Sequence, residues 1–190
     1  MLVYFIRHGE SESNRKGEYC GQGNAPLTDK GIEQAKAIRG KLSAVRFDRV
    51  YSSDLSRALT TARTALEGCE PILDARLREI NIGTLTGQST KGFRESNPHF
   101  VPYLNARDYR PFGGECDSDQ LKRLGAFIKE LSSESLNSVA VFCHGGILHN
   151  TLEYALGVSF SIDGVSRPNC MIAVYELYPD GKMKLLTWNL

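Results

Sequence analysis

The apolar positions along the chain follow two rhythms. Residues 3–6 and 139–142 form short, unalternating apolar runs of strand formers, which predict buried strands, and residues 49–52 read as another short strand. Between them apolar residues recur at helical spacing. One such segment opens at Thr28-Asp29-Lys30-Gly31 and carries Ile32, Ala35, Ile38 and Leu42 on one stripe. In the next, Ser53 or Asp54 is placed to cap a helix whose face is Leu55, Leu59, Ala62 and Leu66. Residues 117–131 predict a helix with Leu121, Leu124, Phe127, Ile128 and Leu131 facing inward, and a further helix follows from about 146 to 156. Residues 71–73 read as a short strand. Residues 171–178 and 184–188, joined by Pro179-Asp180-Gly181-Lys182, read as a hairpin. Residues 7–27 are polar and Gly-rich, hence a loop, and residues 80–116 are weakly periodic. Strands alternating with helices predict an α/β fold: a three-layer α/β/α arrangement with a largely parallel central sheet. With no internal repeat or linker, residues 1–190 are expected to form one domain.

Composition narrows the partners. Lys plus Arg number 23 and Asp plus Glu 22, a net charge of +1, which argues against a nucleic-acid or acidic-membrane binder. The five cysteines are odd in number and include no C-x-x-C pair, so a zinc ribbon, a thioredoxin-like site and a disulfide framework are not expected. The N-terminal apolar stretch is too short for a signal peptide, and no run reaches the length of a membrane span. A reduced, cytoplasmic protein without membrane or nucleic-acid partners is the expectation. Any small anion must then be met by a local cluster of positive charge.

Such a cluster is visible at three predicted strand ends. The first strand runs into Arg7-His8-Gly9-Glu10, the second into Ser52-Ser53-Asp54-Leu55-Ser56-Arg57, and the third into Cys143-His144-Gly145-Gly146. Ligands of open α/β sheets bind outside the carboxyl ends of the strands. If these strands are parallel neighbours, Arg7, His8, Arg57 and His144 converge there. Guanidinium forks match a phosphoryl group bidentately. A neutral His is a competent nucleophile toward phosphorus at neutral pH. The arginines and a second, protonated His would stabilise the transferring group, so no metal or other cofactor is required. A carboxylic acid must protonate the leaving alkoxide. Glu79, in a loop with Gly83 and Gly87, is the candidate, with Glu10, Glu12 and Glu115 as neighbouring alternatives.

These blocks, together with Asn14, Ala25-Pro26-Leu27-Thr28 and Thr61-Ala62, occur in an order that resembles the histidine phosphatase superfamily, also called phosphoglycerate mutase-like. The resemblance covers nearly the whole chain. It implies that His8 is the phosphorylated nucleophile, that Arg7, Arg57 and His144 bind the phosphoryl group, and that Glu79 is the proton donor and then the base for water. It further implies phosphate contacts from Asn14 and Gln22 and a backbone N–H from Gly145.

Within that family the chain looks more like the small phosphatases than the mutases. Mutases have a longer insertion between the acid and the second histidine, and typically carry Gly-Asn after it where this chain has Gly145-Gly146. Phe112-Gly113-Gly114-Glu115 resembles the Pro-Gly-Gly-Glu segment of the phosphatases, the α-ribazole-5′-phosphate phosphatase type above all. His149 departs from the pattern, standing where many small phosphatases carry Arg. The implied activity is hydrolysis of a small phosphate monoester, such as α-ribazole 5′-phosphate or a sugar phosphate, through a phosphohistidine, by a monomer or homodimer. The alternatives are a cofactor-dependent phosphoglycerate mutase and a catalytically silent protein that binds a phosphorylated ligand.

Three rival motifs fail. Cys143 lacks the downstream Arg a tyrosine-phosphatase nucleophile needs, and reads as a buried thiol under the site. Gly21-Gln22-Gly23 does not follow a strand directly, and the spacing of His144 and His149 is wrong for zinc on one helical face. His99 and His149 read as surface or structural residues. The aromatic and basic segment of residues 91–112, with Phe93, Phe100, Tyr103, Tyr109, Phe112, Lys91, Arg94, Arg107 and Arg110, is either a substrate-capping lid or a small satellite core.

Overall fold

The computed structural model describes residues 1–161 and 164–190. The predicted strands form at β1 (Leu2–Arg7), β2 (Arg49–Ser52), β3 (Ile72–Leu73), β4 (Ser138–Cys143), β5 (Ile172–Leu177) and β6 (Met183–Trp188). They make one sheet in the order β3-β2-β4-β1-β5-β6. The first four are mutually parallel, and the β5–β6 hairpin joins antiparallel to β1. The sheet is therefore mostly parallel, as the alternation of elements predicts.

Side-chain alternation on the strands builds two cores. Val3, Phe5, Val139 and Val141 point to one face, where they meet Leu124, Phe127, Ile128 and Leu131 of α7 (Asp117–Ser132) and Ile147 and Leu148 of α8 (Gly145–Leu156). Ile6, Ala140 and Phe142 point to the other, against Ala35 of α2 (Asp29–Ala37), Leu42 of α3 (Arg39–Ser43) and Ala62 and Ala65 of α4 (Ser56–Ala65). Each fully buried side chain of this size contributes about 1.5–3 kcal/mol. Among the described residues no helix is long and apolar enough to cross a membrane.

Two local expectations are corrected. The stripe from Ile32 to Leu42 is carried by two helices, because Ile38 leaves the regular helical conformation (φ −82°, ψ −7°) between α2 and α3. The loop of residues 7–27 contains α1 (Glu12–Lys16), one turn held by a reciprocal Ser11–Asn14 cap and closed by left-handed Gly17.

Residues 80–116 form α5 (Thr90–Ser96), α6 (Val101–Asn105) and single 3₁₀ turns. Ile80, Ile82, Leu85, Leu104 and Phe112 are buried together, flanked by Tyr19, Phe93, Phe100 and Tyr109. The segment thus has a small core of its own. Tyr103 is exposed and Arg107 is buried within the structure.

Candidate active site

The register of the parallel strands builds the site. Arg7 at the end of β1 pairs with Cys143 at the end of β4, so His8 and His144 leave the sheet side by side with ring centroids 5.2 Å apart. On the other side of β4, Ser52 pairs with Phe142, and the chain turns through Ser53 into α4, which carries Arg57 in its first turn. Close backbone approach is needed here: a Cβ on Gly9 would fall on the carbonyl of Gly31, and one on Gly31 on the carbonyl of Glu10. That contact locks the Arg-His-Gly turn against the start of α2.

His8 is buried, and its partners set its tautomer. Nδ1 lies 2.6 Å from the carbonyl of Gly9 and so carries the proton, while Arg57 donates Nε–H to Nε2 at 3.2 Å. Burial, then the charges of Arg57 and Arg7, hold the His8 pKa well below its usual value. The imidazole is neutral at pH 7, and its Nε2 lone pair faces a guanidinium. Arg57, 1% exposed, is itself fixed by the carbonyls of Gly23 and Gly21 at 2.7 Å each. Thr61 ties the two sides together, accepting from the Gly9 N–H at 3.0 Å and donating to the Arg57 carbonyl at 2.7 Å.

His144 places Nε2 2.9 Å from the hydroxyl of Ser53 and leaves Nδ1 buried without a partner. Burial and then Arg57 lower its pKa well below the usual range. In the free protein this imidazole is therefore neutral. Ser53 and Asp54 also do not cap α4. Ser53 is turned toward His144 and Asp54 pairs with Arg78 at 2.7 Å, while Asn24 receives the Ser56 N–H at 2.9 Å.

Arg7 donates to the carbonyl of Arg167, and its Nε is buried without a partner. Gly145 begins α8 beside it, with room for a Cβ 3.5 Å from that Nε. Asn14 spends its Oδ1 on the α1 cap, which leaves its amide nitrogen as the end able to donate to an anion. Gln22 instead donates to the backbone carbonyl of Glu79 at 3.1 Å.

Glu79 closes the site. Its carboxylate accepts from the N–H of Gly146 at 3.0 Å, of Ile80 at 2.9 Å, and from Gln120 Nε2 at 3.1 Å. Burial alone would raise its pKa, but Arg107 and these hydrogen bonds outweigh it and lower the value to about 2. Glu79 is therefore a carboxylate in the free protein, not a stored acid. Glu10 is paired with Lys30, Glu12 with Arg15, and Glu115 with Arg123, so the alternatives are committed elsewhere. Gly146 permits this arrangement, since a Cβ there would fall on Glu79 Oε1 and close to Arg107. Gly146→Ala is expected to lower kcat about 10²-fold by displacing the carboxylate, with little change in melting temperature. Steady-state kinetics beside a thermal melt check it, and wild-type rates would show that the carboxylate is not needed where it stands.

A cavity of about 150 Å³ adjoins Glu79, lined by Tyr19, Ile80, Ile82, Tyr109 and Arg107. Cys143 is a fully buried thiol beneath the site, its pKa pushed up by burial. His149 is buried 4.7 Å from the ring of Phe160, and His99 is exposed on Phe100. Thr61 belongs to a recognised block and Arg107 to the aromatic and basic segment, but neither they nor Ser53 and Gln120 carry a site role in the sequence pattern. Ser53 lay within a recognised block, whereas Gln120 has no local signal at all.

Comparison with known proteins gives a consistent picture. The profile of the histidine phosphatase superfamily (branch 1) matches residues 3–190. A Hydrogenobacter thermophilus relative with the provisional name phosphoserine phosphatase 2 is 26% identical over 98% of this chain and 93% of its own. The probable phosphoglycerate mutase GpmB of Escherichia coli O1:K1 is 35% identical, but the match spans 53% of this chain and 47% of that one. Among solved structures, the α-ribazole phosphatase of Shigella flexneri superposes with a TM-score of 0.86 at 25% identity, covering 100% of this chain and 96% of that one.

Proposed function

The chain belongs to the histidine phosphatase superfamily, and from that premise we propose that it hydrolyses a small phosphate monoester through a phosphohistidine on His8. The observation that carries this reading is the Arg57 Nε–H held against the Nε2 lone pair of His8. In this reading an incoming phosphoryl oxygen would take over that N–H and free the lone pair for phosphorus.

The steps follow from the protonation states of the free site. The substrate enters as its monoanion, and its proton passes through the Glu79 carboxylate to the leaving oxygen. His8 Nε2 bonds to phosphorus as the P–O ester bond breaks, releasing the alcohol. Arg7, Arg57 and His144 bear the charge on the equatorial oxygens. The anion itself supplies the counter-charge that lets His144 take a proton. In the second half Glu79 removes a proton from water, the water oxygen bonds to phosphorus, the N–P bond breaks and returns its electron pair to His8 Nε2, and Glu79 passes its proton to the phosphate, which leaves as the monoanion. Asn14 and the N–H of Gly145 stand as further phosphate contacts, and Gln22 acts by bracing the Glu79 backbone. The cavity beside Glu79 would take the leaving group, and its small size and its aromatic and aliphatic walls favour a small ester. An α-ribazole or sugar phosphate is the class to try first, in view of the Shigella flexneri neighbour.

Incubation with 3-phosphoglycerate and a bisphosphoglycerate primer, alongside a panel of sugar phosphates, nucleotides and α-ribazole 5′-phosphate, tests the reaction type. Release of inorganic phosphate is expected to exceed isomerisation. Isomerisation faster than release would make the protein a mutase, and neither, with no phosphoenzyme, would leave a binding protein.

A further inference from the structure

Arg107 lies in an irregular turn after α6, where cationic side chains usually reach into water. Here it is 4% exposed and adopts a left-handed backbone (φ 52°), uncommon for a side-chain-bearing residue. Both Nη atoms are held by neighbouring side chains: Nη1 donates to Asn150 Oδ1 at 2.9 Å and pairs with Asp117 at 2.5 Å, and Nη2 donates to Gln120 Oε1.

Gln120 is completely buried on α7, and its neighbours dictate which way its amide points. Oε1 faces two donors, Arg107 and the Asn150 amide at 3.3 Å. Nε2 faces two acceptors, Glu79 Oε1 at 3.1 Å and the Arg78 carbonyl at 3.3 Å. A flipped amide would oppose like groups at every contact. The Gln120 N–H is thus delivered to one oxygen of Glu79, while Gly146 holds the other.

We propose that Arg107 and Gln120 are positioning residues for the reaction: Arg107 fixes the Gln120 amide, and Gln120 aims the Glu79 carboxylate at the leaving oxygen. The inference rests on the hydrolase reading above. It accounts for a buried arginine held in a strained turn, whose Nη2 is given to a residue that touches Glu79. A misaimed carboxylate would retard departure of an alkoxide, which needs its proton, far more than departure of p-nitrophenolate.

The test is first-turnover release from β-glycerophosphate and from p-nitrophenyl phosphate, with KM for each. The variants are the isosteric Gln120→Glu, Arg107→Lys, Arg107→Met and the Arg107→Met/Gln120→Glu pair, each checked by near-UV circular dichroism. Gln120→Glu is expected to slow glycerol release about 10–10²-fold and p-nitrophenol release less than about threefold, with KM nearly unchanged. Arg107→Lys should recover part of what Arg107→Met loses, and the pair should be no slower than the worse single variant. Equal slowing of both esters, a change confined to KM, or additive losses in the pair would overturn the inference. Wild-type protein that releases neither alcohol would overturn the hydrolase reading and this inference with it.

Discussion

His8→Ala is expected to lower phosphate release roughly 10⁴-fold or more. The reason is local. Among the groups at the strand ends, the His8 Nε2 is a neutral lone pair at the point where Arg57 and Arg7 converge. His144 is also neutral, but its Nε2 is committed to Ser53. Arg7, Arg57 and Thr61 keep their own anchors when the imidazole is removed, so phosphate binding should persist and the loss should fall on kcat. The sign of the pH dependence is fixed too. Burial, Arg57 and Arg7 lower the His8 pKa, so the nucleophile stays unprotonated below its ordinary value of 6.5. Phosphoenzyme formation at pH 5.5 should be no slower than at pH 7, helped by the larger share of monoanionic substrate below a second phosphate pKa of about 6. Stopped-flow turnover of p-nitrophenyl phosphate across pH measures both effects. Residual activity within tenfold of wild type would place the nucleophile elsewhere.

Glu79→Gln is expected to slow first-turnover release of an alkyl alcohol by about 10²–10⁴-fold and to spare release of p-nitrophenol. The amide retains the shape of the side chain but has a single oxygen, so it can accept from Ile80 and Gln120 or from Gly146 and not from both sides, and it cannot relay a proton. Hydrolysis of the phosphoenzyme should slow for every substrate, because the same group takes the proton from water. The variant should therefore accumulate phosphoenzyme with p-nitrophenyl phosphate, seen as a burst followed by a slow steady state. Equal slowing of the first turnover for both esters would remove Glu79 from the leaving-group step. The low pKa of about 2 places this carboxylate fully ionised near neutrality. With alkyl esters, kcat/KM should therefore fall as the substrate loses its own proton above about pH 6.

The strands β1 and β4 were legible because their burial makes them continuous apolar runs, and Arg7, His8 and His144 because each stands at the end of such a run. Arg7, His8, Arg57 and His144 needed only the assumption that three strands are parallel neighbours, and the order β2-β4-β1 meets it. What escaped was whatever depends on contacts distant in sequence. Ser53 reads as a helix cap until His144 is seen beside it, and the bond from Gln22 to the Glu79 carbonyl at 3.1 Å has no local signal. Arg107 sits in a segment whose composition fits a lid or a core equally well. Its role depends on Gln120, thirteen positions away on another element. The free-state protonation of His144 and Glu79 is illegible in the sequence for a related reason. Residue type fixes the ordinary pKa, but burial and the arginines around each group set the actual one.

The central claim is a covalent phosphohistidine on His8. Its most direct test is rapid quenching of wild-type protein with a ³²P-labelled phosphate donor, followed by acid and base treatment and peptide mapping. Label that is lost in acid, survives base, maps to the peptide containing His8 and is absent from His8→Ala is the predicted result. Active wild-type protein that never carries label, or label that maps away from His8, would contradict it.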